Sequence, residues 1–279
     1  MLAAPIFGEA KIDCHCHVLD PARFPYAADT SYQPSGQEIA PVDSLIRTMD
    51  LYGVRHALLV GTNSGYGNDL SPVHDALARG EGRFRGIAVV PNTVGADTLA
   101  SLKAIGFVGV AFNVPFHGFE FYAHTGDLLR KLADLDMVLN VQARDDQWPD
   151  VLRLLDASNV RVLIDHCGRP APERGLTQPG FQAVLELGRT GRACVKLSGF
   201  GQFSRERYPY ADAHPFVAAL LEAFTPAACL WGSDWPFLRA PERMDYAPLL
   251  QLLAVLIPDA VDRRSVLWET PRRLFGFGG

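Results

Sequence analysis

The segment KIDCHCHVLD, near the start of the chain, places four potential metal ligands side by side. Cys14, His15, Cys16 and His17 are consecutive, and both imidazole nitrogen and thiolate sulfur bind zinc. If the segment is a β-strand, alternate side chains point to opposite faces, so Asp13, His15 and His17 share one face. The strand interpretation therefore predicts a His15–His17 pair in a site, with both cysteines packed as small apolar groups behind the strand.

Two further ionisable residues end apolar runs much later in the chain. His166 closes VLIDH, and Asp234 closes CLWGSD. An imidazole can polarise a carbonyl by hydrogen bonding, and a carboxylate can take a proton from water as a general base. His15, His17 and Asp234 together also form a nitrogen and oxygen ligand set that suits Zn²⁺. The pattern therefore predicts an active site in which Asp234 is a candidate general base, and the sequence leaves metal occupancy open.

Arginines follow the later apolar runs although the chain is acidic overall, with 26 basic against 31 acidic residues and a net charge of −5. Guanidinium groups bind carboxylate or sulfonate through paired hydrogen bonds, so the group predicts an anionic substrate. Its members are Arg144, Arg169, Arg205, Arg207 and Arg239. We expect Arg205 and Arg207 to contact the anion first, and Arg144 next.

Neutral polar side chains at comparable places could complete the substrate site. Tyr32 lies in the loop DTSYQP, Asn63 and Ser64 follow the second apolar run, and Asn113 and Gln142 end the fourth and fifth runs. Hydroxyl and amide groups supply hydrogen bonds without charge, so they would orient the neutral part of a substrate.

The regular recurrence of these groups points to one repeated structural unit. Amphipathic segments with helical spacing, such as VDSLIRTMDLYG, alternate with strand-like runs, which predicts a mostly parallel sheet. Eight units in 279 residues match the (β/α)₈ TIM barrel, whose usual size is about 250 residues and whose active sites lie at the carboxyl ends of the strands. The eight runs are KIDCHCH, HALLVGTN, RGIAVVPN, GVAFNV, VLNVQAR, VLIDHCG, CVKLSGF and CLWGSDW.

A doubly wound open sheet is the competing fold. No G-x-G-x-x-G motif follows the first run, and the polar groups at run ends are spread over most of the chain, so the barrel is favoured. No linker, low-complexity tract or charge block divides the chain. Residues 1–279 are therefore predicted to form a single barrel domain.

The composition excludes several classes of function. Hydrophobic residues make up 48% and charged residues 20%, as in an ordinary globular protein, and the negative charge gives no support to nucleic-acid or membrane-surface binding. No apolar run approaches the roughly 18 to 20 residues of a membrane span, and the first residues lack the basic region of a signal peptide. Five cysteines fit a reducing compartment, so we expect a cytoplasmic protein.

The chain resembles the amidohydrolase superfamily, and within it the amidohydrolase-2 branch that includes 2-pyrone-4,6-dicarboxylate lactonases. The resemblance rests on IDCHCHVLDPARFPYA, GEGRFRGIAVV, GVAFN, VLIDHCGRP, WGSDWP and ETPRRLFGF, which span most of the chain. It implies a hydrolase that carries His15, His17 and Asp234 in its active site, with His166 beside the scissile carbonyl.

The chain departs from that family at three positions on the fourth and fifth strands. Metal-dependent members usually add a lysine or glutamate on the fourth strand, or a histidine on the fifth, where this chain has Asn113 and Gln142. The pyrone lactonases carry an arginine on the fourth strand, where this chain has Ala111. A divalent metal, most simply Zn²⁺, would therefore have fewer ligands, and the substrate anion would sit differently.

Three function classes follow. The first is a hydrolase that opens an anionic lactone, 2-pyrone-4,6-dicarboxylate-like or muconolactone-like, in the breakdown of aromatic acids. The second is a metal-dependent decarboxylase of an aromatic-derived acid on the same barrel, which the missing fifth-strand histidine disfavours. The third is a non-catalytic barrel that binds a small molecule, which would not need His15, His17, His166 and Asp234 together.

Overall fold

Eight parallel strands follow one another around a barrel in chain order, as the sequence predicts. The computed structural model describes residues 5–156, 158–240, 242 and 244–278. Every strand is short and almost wholly buried, as expected of a parallel sheet that is covered by helices. The strands are β1 (Lys11–Cys16), β2 (Val54–Val60), β3 (Phe84–Ala88), β4 (Phe107–Asn113), β5 (Val138–Gln142), β6 (Val162–Ile164), β7 (Ala193–Leu197) and β8 (Cys229–Trp231).

Helices connect the strands and cover the outside of the barrel. The first shows how the sequence encodes them: Leu45 and Met49 form its buried stripe, and the helix ends at Gly53, whose φ of 66° is left-handed. Across the described ranges, no helix is both apolar enough and long enough to cross a bilayer. The helices are α1 (Val42–Tyr52), α2 (Ser71–Arg79), α3 (Ala96–Ala104), α4 (Val114–His117), α5 (Gly126–Asp134), α6 (Trp148–Leu155), α7 (Pro179–Arg189), α8 (His214–Phe224), α9 (Tyr246–Leu256), α10 (Ala260–Arg264) and α11 (Thr270–Phe275).

Apolar side chains fill the lower part of the barrel, so the site can only open at the carboxyl ends of the strands. Trp268, Phe275 and Phe277, from the end of the chain, pack against the same interior cluster. The strand residues of this cluster are Ile12, Cys14, Leu58, Val60, Ile87, Val138, Leu163, Cys194 and Leu230. A larger apolar layer fills the space between the strands and the helices.

The first strand joins the segment that follows β8, and this contact brings the barrel's two ends together. A parallel bridge pairs Cys16 with Trp235. The Asp234 amide donates to the His15 carbonyl over 2.8 Å, and the His17 amide donates to the Trp235 carbonyl over 2.9 Å. The backbone therefore ties Asp234 to His15 directly, and to His17 through the neighbouring Trp235.

A β-bulge interrupts β1 between Asp13 and Cys16. Asp13 pairs with Ala57 and Cys16 pairs with Leu59, so three steps along β1 oppose two steps along β2. An extra residue in one strand changes which face the following side chains occupy. Simple alternation along KIDCHCH therefore fails at this point.

The bulge corrects the predicted faces of two residues. Cys14 packs into the barrel interior with Ile12, below the cavity, whereas it was expected behind the strand. Asp13 was expected beside the histidines, but its carboxylate turns toward the helix layer. Cys16 does pack in that outer layer, as predicted, and the histidines on either side of it line the cavity.

Candidate active site

Three histidines surround one carboxylate at the carboxyl end of the barrel. The Nε2 atoms of His15, His17 and His166 lie 3.6, 3.7 and 3.8 Å from Oδ1 of Asp234. All four residues are buried, and all four line the same cavity. The structure thus brings together the four residues that the sequence placed in a hydrolytic site.

The buried carboxylate of Asp13 holds the two ends of this cluster. Its Oδ1 accepts the backbone amides of His15 and Ser233, over 3.1 and 2.9 Å. Its Oδ2 accepts the hydroxyls of Ser233 and Tyr246, over 2.6 and 2.8 Å. Four hydrogen bonds to one buried group fix the bulge of β1 against the segment that carries Asp234.

Two glycines make room for the rings of His15 and His166. A Cβ on Gly232 would lie 2.6 Å from the His15 Cβ, and a Cβ on Gly199 would lie 2.2 Å from Nδ1 of His166. Gly199 also has a φ of 61°, which side-chain-bearing residues rarely adopt. Any larger residue at either position would displace a histidine.

Four polar residues of the site have left-handed backbones. The φ angles are 51° for His166, 44° for Arg169, 62° for Asp234 and 56° for Arg239. This conformation is unfavourable for residues other than glycine, by roughly 1 to 2 kcal/mol each. Such strain persists only where the surrounding packing imposes it, and it concentrates at functional sites.

The hydrogen bonds of His17 show that the cluster suits a cation. Its Nδ1 lies 2.8 Å from the Val60 carbonyl, which can only accept, so Nδ1 carries the proton. In a neutral ring, Nε2 then presents a lone pair to the Asp234 carboxylate, which is also an acceptor. Ligand atoms about 2.1 Å from a tetrahedral zinc lie about 3.4 Å apart, close to the observed separations from Asp234. His15, His17 and Asp234 therefore fit a divalent metal ion.

Burial lowers the pKa of two of the rings, and the neighbouring histidines lower the pKa of the carboxylate. Burial, aided by the nearby Lys196 ammonium, lowers the pKa of His15 to about 3. Burial also lowers the pKa of His166. For Asp234 burial alone would raise the pKa, but His166 and the two β1 histidines outweigh it, and its pKa lies well below the usual range. At neutral pH Asp234 is thus a carboxylate that can accept a proton.

A second polar cluster, which was not predicted from the sequence, lies beneath His15. Lys196 of β7 is fully buried, and its Nζ lies 2.7 Å from Oδ1 of Asn140, 2.9 Å from Oδ1 of Asp165 and 3.2 Å from Nδ1 of His15. Asn140 donates to Oδ2 of Asp165 over 2.7 Å. The sequence signal was a lysine inside the apolar strand CVKLSG, since a charge buried in a strand needs partners.

Neutral polar groups line one side of a cavity of about 320 Å³ above the histidines. The predicted substrate contacts Asn63, Ser64, Asn113 and Gln142 all lie in its wall, together with Ala111. Asn113 donates to Oδ1 of Asn63 over 3.3 Å, so these two amides are already oriented. The lining residues that follow β2 and β4, with Gln142 at the end of β5, offer hydrogen bonds but no formal charge.

Three arginines reach the cavity from the opposite side, after β5, β6 and β8: Arg144, Arg169 and Arg239. Arg169 is largely buried, and its Nε is buried without a hydrogen-bond partner. The only described hydrogen bond of its guanidinium is a long one, 3.4 Å, to the carbonyl of Gln202. Burial, with Arg144 nearby, lowers the pKa of Arg169 from its ordinary value. A buried guanidinium with no carboxylate partner in the described ranges is suited to an anionic ligand.

Arg205 and Arg207, the expected first contacts for the anion, lie elsewhere. They belong to a surface hollow beyond the cavity wall, and each pairs with a glutamate. Arg205 lies 3.6 Å from Glu173, and Arg207 lies 2.7 Å from Glu242. Their side chains are 67% and 86% exposed, so they are solvated loop residues. Distance along the chain from a strand end did not reveal which loops fold back over the cavity.

Tyr32 supports the cavity from outside its wall. The Arg239 guanidinium stacks 4.1 Å from the centre of the Tyr32 ring, a cation–π contact. The Tyr32 hydroxyl donates to Oε2 of Glu38 over 2.5 Å, and Oε1 of Glu38 accepts the Arg239 backbone amide over 2.7 Å. Tyr32 therefore holds Arg239; it was predicted to contact the substrate, but it is not among the residues that line the cavity.

An eight-stranded barrel with a histidine and aspartate cluster at the carboxyl ends of its strands defines a hydrolase-type site. The amidohydrolase family model matches residues 12–277. The chain belongs to the amidohydrolase family, as its motifs predicted.

Two curated relatives match nearly the whole chain. A 4-sulfomuconolactone hydrolase of Rhizobium radiobacter is 33% identical over 95% of this chain and 89% of its own length. A 2-pyrone-4,6-dicarboxylate hydrolase of Comamonas testosteroni is 26% identical over 95% and 89%. Both relatives are named as hydrolases of lactones.

A solved structure has the same architecture. The crystal structure of a "probable 2-pyrone-4,6-dicarboxylic acid hydrolase" from Acinetobacter baumannii, with citric acid bound, superposes with a TM-score of 0.84. It is 26% identical, and the match covers 96% of this chain and 99% of that one. The barrel fold is thus shared from end to end.

Proposed function

We propose that this chain hydrolyses a lactone that carries a carboxylate or sulfonate, in the breakdown of aromatic acids. One observation carries the proposal: the largely buried guanidinium of Arg169, which has no carboxylate partner among the described residues, shares a cavity with the cluster of His15, His17, His166 and Asp234. The cluster supplies hydrolytic groups, and the guanidinium supplies the charge that an anionic substrate needs.

The reaction follows from the protonation states of the cluster. Asp234 takes a proton from water as the water oxygen bonds to the lactone carbonyl carbon. With the Ser198 hydroxyl donating to Nδ1 of His166 over 3.0 Å, the His166 Nε2–H can donate to the carbonyl oxygen as negative charge develops there. The ring C–O bond then breaks, the leaving oxygen receives the proton, and a hydroxy acid or its keto form results.

A divalent metal, which we propose to be zinc, would be held by His15, His17 and Asp234. When bound, such an ion lowers the pKa of water and polarises the carbonyl. The fifth-strand position that often supplies another histidine is Gln142, a weak neutral ligand, so we expect looser metal binding than in family members with more ligands.

The charged side of the cavity indicates where the anion lies. Arg144, Arg169 and Arg239 line the side after β5, β6 and β8, whereas the β4 position of the pyrone lactonase arginine is Ala111. The substrate anion should therefore extend toward the arginines, with its neutral part near Asn63. A sulfonated or carboxylated muconolactone fits this polarity better than a pyrone with two carboxylates, in keeping with the named substrate of the 33% identical relative.

The test is a panel of muconolactones and pyrones, with and without anionic groups, incubated with the purified protein. We expect an anionic lactone to gain one water, seen by mass. Loss of carbon dioxide would instead identify a decarboxylase, and tight binding without turnover would identify a binding barrel.

Elemental analysis, together with activity measured after chelation, tests the proposed metal site. Bound zinc, with activity lost on chelation and restored by Zn²⁺, supports the metal site. Full activity in metal-free protein would leave His15 and His17 with hydrogen-bonding roles.

A further inference from the structure

The buried pair of Lys196 and Asp165 meets His15 at a single ring nitrogen. Nδ1 of His15 lies 3.2 Å from Nζ of Lys196 and 3.2 Å from Oδ1 of Asp165. The lysine ammonium can only donate, and the carboxylate can only accept. The same ring nitrogen therefore faces a donor and an acceptor at equal distance.

These contacts satisfy either form of the neutral ring. If Nδ1 is bare, Lys196 donates to it, and the ring carries its proton on Nε2, which points at the carboxylate of Asp234. If Nδ1 carries the proton, it donates to Asp165, and a bare Nε2 faces Asp234. The first form suits a metal-free site, because N–H faces carboxylate. The second suits a cation between His15 and Asp234.

The surroundings hold this pair in place. Lys196 and Asp165 lie 2.9 Å apart, and the Asn140 side chain bonds to both, accepting from Lys196 and donating to Asp165. Lys196 is fully buried, and Asn140 and Asp165 are almost so. Burying an ammonium and a carboxylate is costly even when they are paired, and apolar residues of similar size would fill this space at lower cost. Their position at His15 gives the pair a role beyond packing.

We propose that Lys196 and Asp165 are positioning residues that let His15 carry its proton on either ring nitrogen. Lys196 stabilises the Nε2–H form in the metal-free protein, and Asp165 stabilises the Nδ1–H form when Nε2 binds a metal ion. The ring holds one proton throughout, so no net proton is gained or lost. This inference rests on the proposed metal site for its second half only.

Nitrogen NMR reads the two forms directly. Protein labelled with ¹⁵N-histidine is freed of metal by chelation, and long-range ¹H–¹⁵N correlation assigns the proton of His15 to one nitrogen. We expect Nε2–H in the metal-free wild type and Nδ1–H after Zn²⁺ is added. A His15 proton that remains on Nε2 while zinc is bound would overturn the role of Asp165.

Two variants test the residues separately. Lys196→Met should move the metal-free His15 proton to Nδ1, and an unchanged signal there would overturn the role of Lys196. Asp165→Asn, nearly isosteric, should weaken zinc binding about 10- to 100-fold in a chelator competition. Lys131→Met is the matched control, because that lysine pairs with Asp127 on α5, and neither measurement should change.

The failures are distinguishable. If the wild-type protein takes up no zinc, the proposed metal site and the role of Asp165 both fail. The Lys196→Met measurement in metal-free protein then still tests whether Lys196 stabilises the Nε2–H form of His15. If Lys196→Met does not fold, the metal-free wild type still decides it, because a His15 proton already on Nδ1 contradicts donation from Lys196.

Discussion

The floor and the rim of the cavity are built in different ways. The floor consists of residues at the ends of β1, β6 and β8, and backbone hydrogen bonds between neighbouring strands place His15, His17 and Asp234 directly. The rim consists of arginines in loops, and side-chain contacts such as the stacking of Arg239 on Tyr32 set their directions. The barrel strands therefore position the reacting groups, and the loops position the groups that would select the substrate.

The largest effect on catalysis is expected from a substitution in the floor, at Asp234. Asp234→Asn preserves size but cannot take a proton, so kcat should fall about 10²- to 10⁴-fold with KM little changed. Steady-state kinetics on an anionic lactone, with circular dichroism to verify the fold, measures this. Near-native turnover by a folded variant would assign the base to another residue.

The next largest effect is expected from removing the Arg169 guanidinium in the rim, which should lower kcat/KM. Arg169→Met removes a charge-assisted hydrogen bond worth roughly 1.5 to 3 kcal/mol, so kcat/KM for the anionic lactone should fall about ten- to more than a hundredfold. Arg205→Met is the control, because Arg205 is exposed and pairs with Glu173. Equal effects of the two variants would remove the distinction between the arginines inside and outside the cavity.

The buried His15 of the floor should also make the free energy of unfolding depend on pH. His15 has a pKa of about 3 when folded and about 6.5 when unfolded, so between these values the unfolded chain binds more protons. The contribution of His15 to the free energy of unfolding is therefore fully present above about pH 7, and it should be lower by about 2 kcal/mol near pH 5. Urea unfolding of chelated protein at both pH values measures it. His15→Asn should flatten the dependence, and an equal slope in that variant would contradict the burial argument.

The smallest effect on kcat/KM is expected from Tyr32, which holds Arg239 of the rim in place. Tyr32→Phe keeps the ring beneath Arg239 and removes only the hydroxyl bond to Glu38. A hydrogen bond of about 1 kcal/mol corresponds to roughly a fivefold loss in kcat/KM. A loss as large as that of Arg169→Met would instead mean that the Tyr32 hydroxyl touches the substrate.

Sequence reasoning predicted the barrel and the four residues of the floor, because strand runs and strand-end residues are local signals. It failed where the structure depends on longer-range features. The bulge in β1 turns Asp13 and Cys14 to unexpected faces, because strict alternation of side chains does not allow for an extra residue in the strand. The exposed Arg205 and Arg207 were preferred over Arg169, because loop paths are not readable from residue order. The buried Lys196 was visible as a charge in an apolar strand and could have been found.

The substrate itself offers the most direct measurement. One lactone is prepared as its free acid and as its neutral amide, and kcat/KM for the wild-type protein is compared between the two. Because the remote anion orients the reacting carbonyl over Asp234, we expect the acid to be hydrolysed about ten- to more than a hundredfold more efficiently. Equal values for the acid and the amide would contradict an anionic lactone as the substrate of this site.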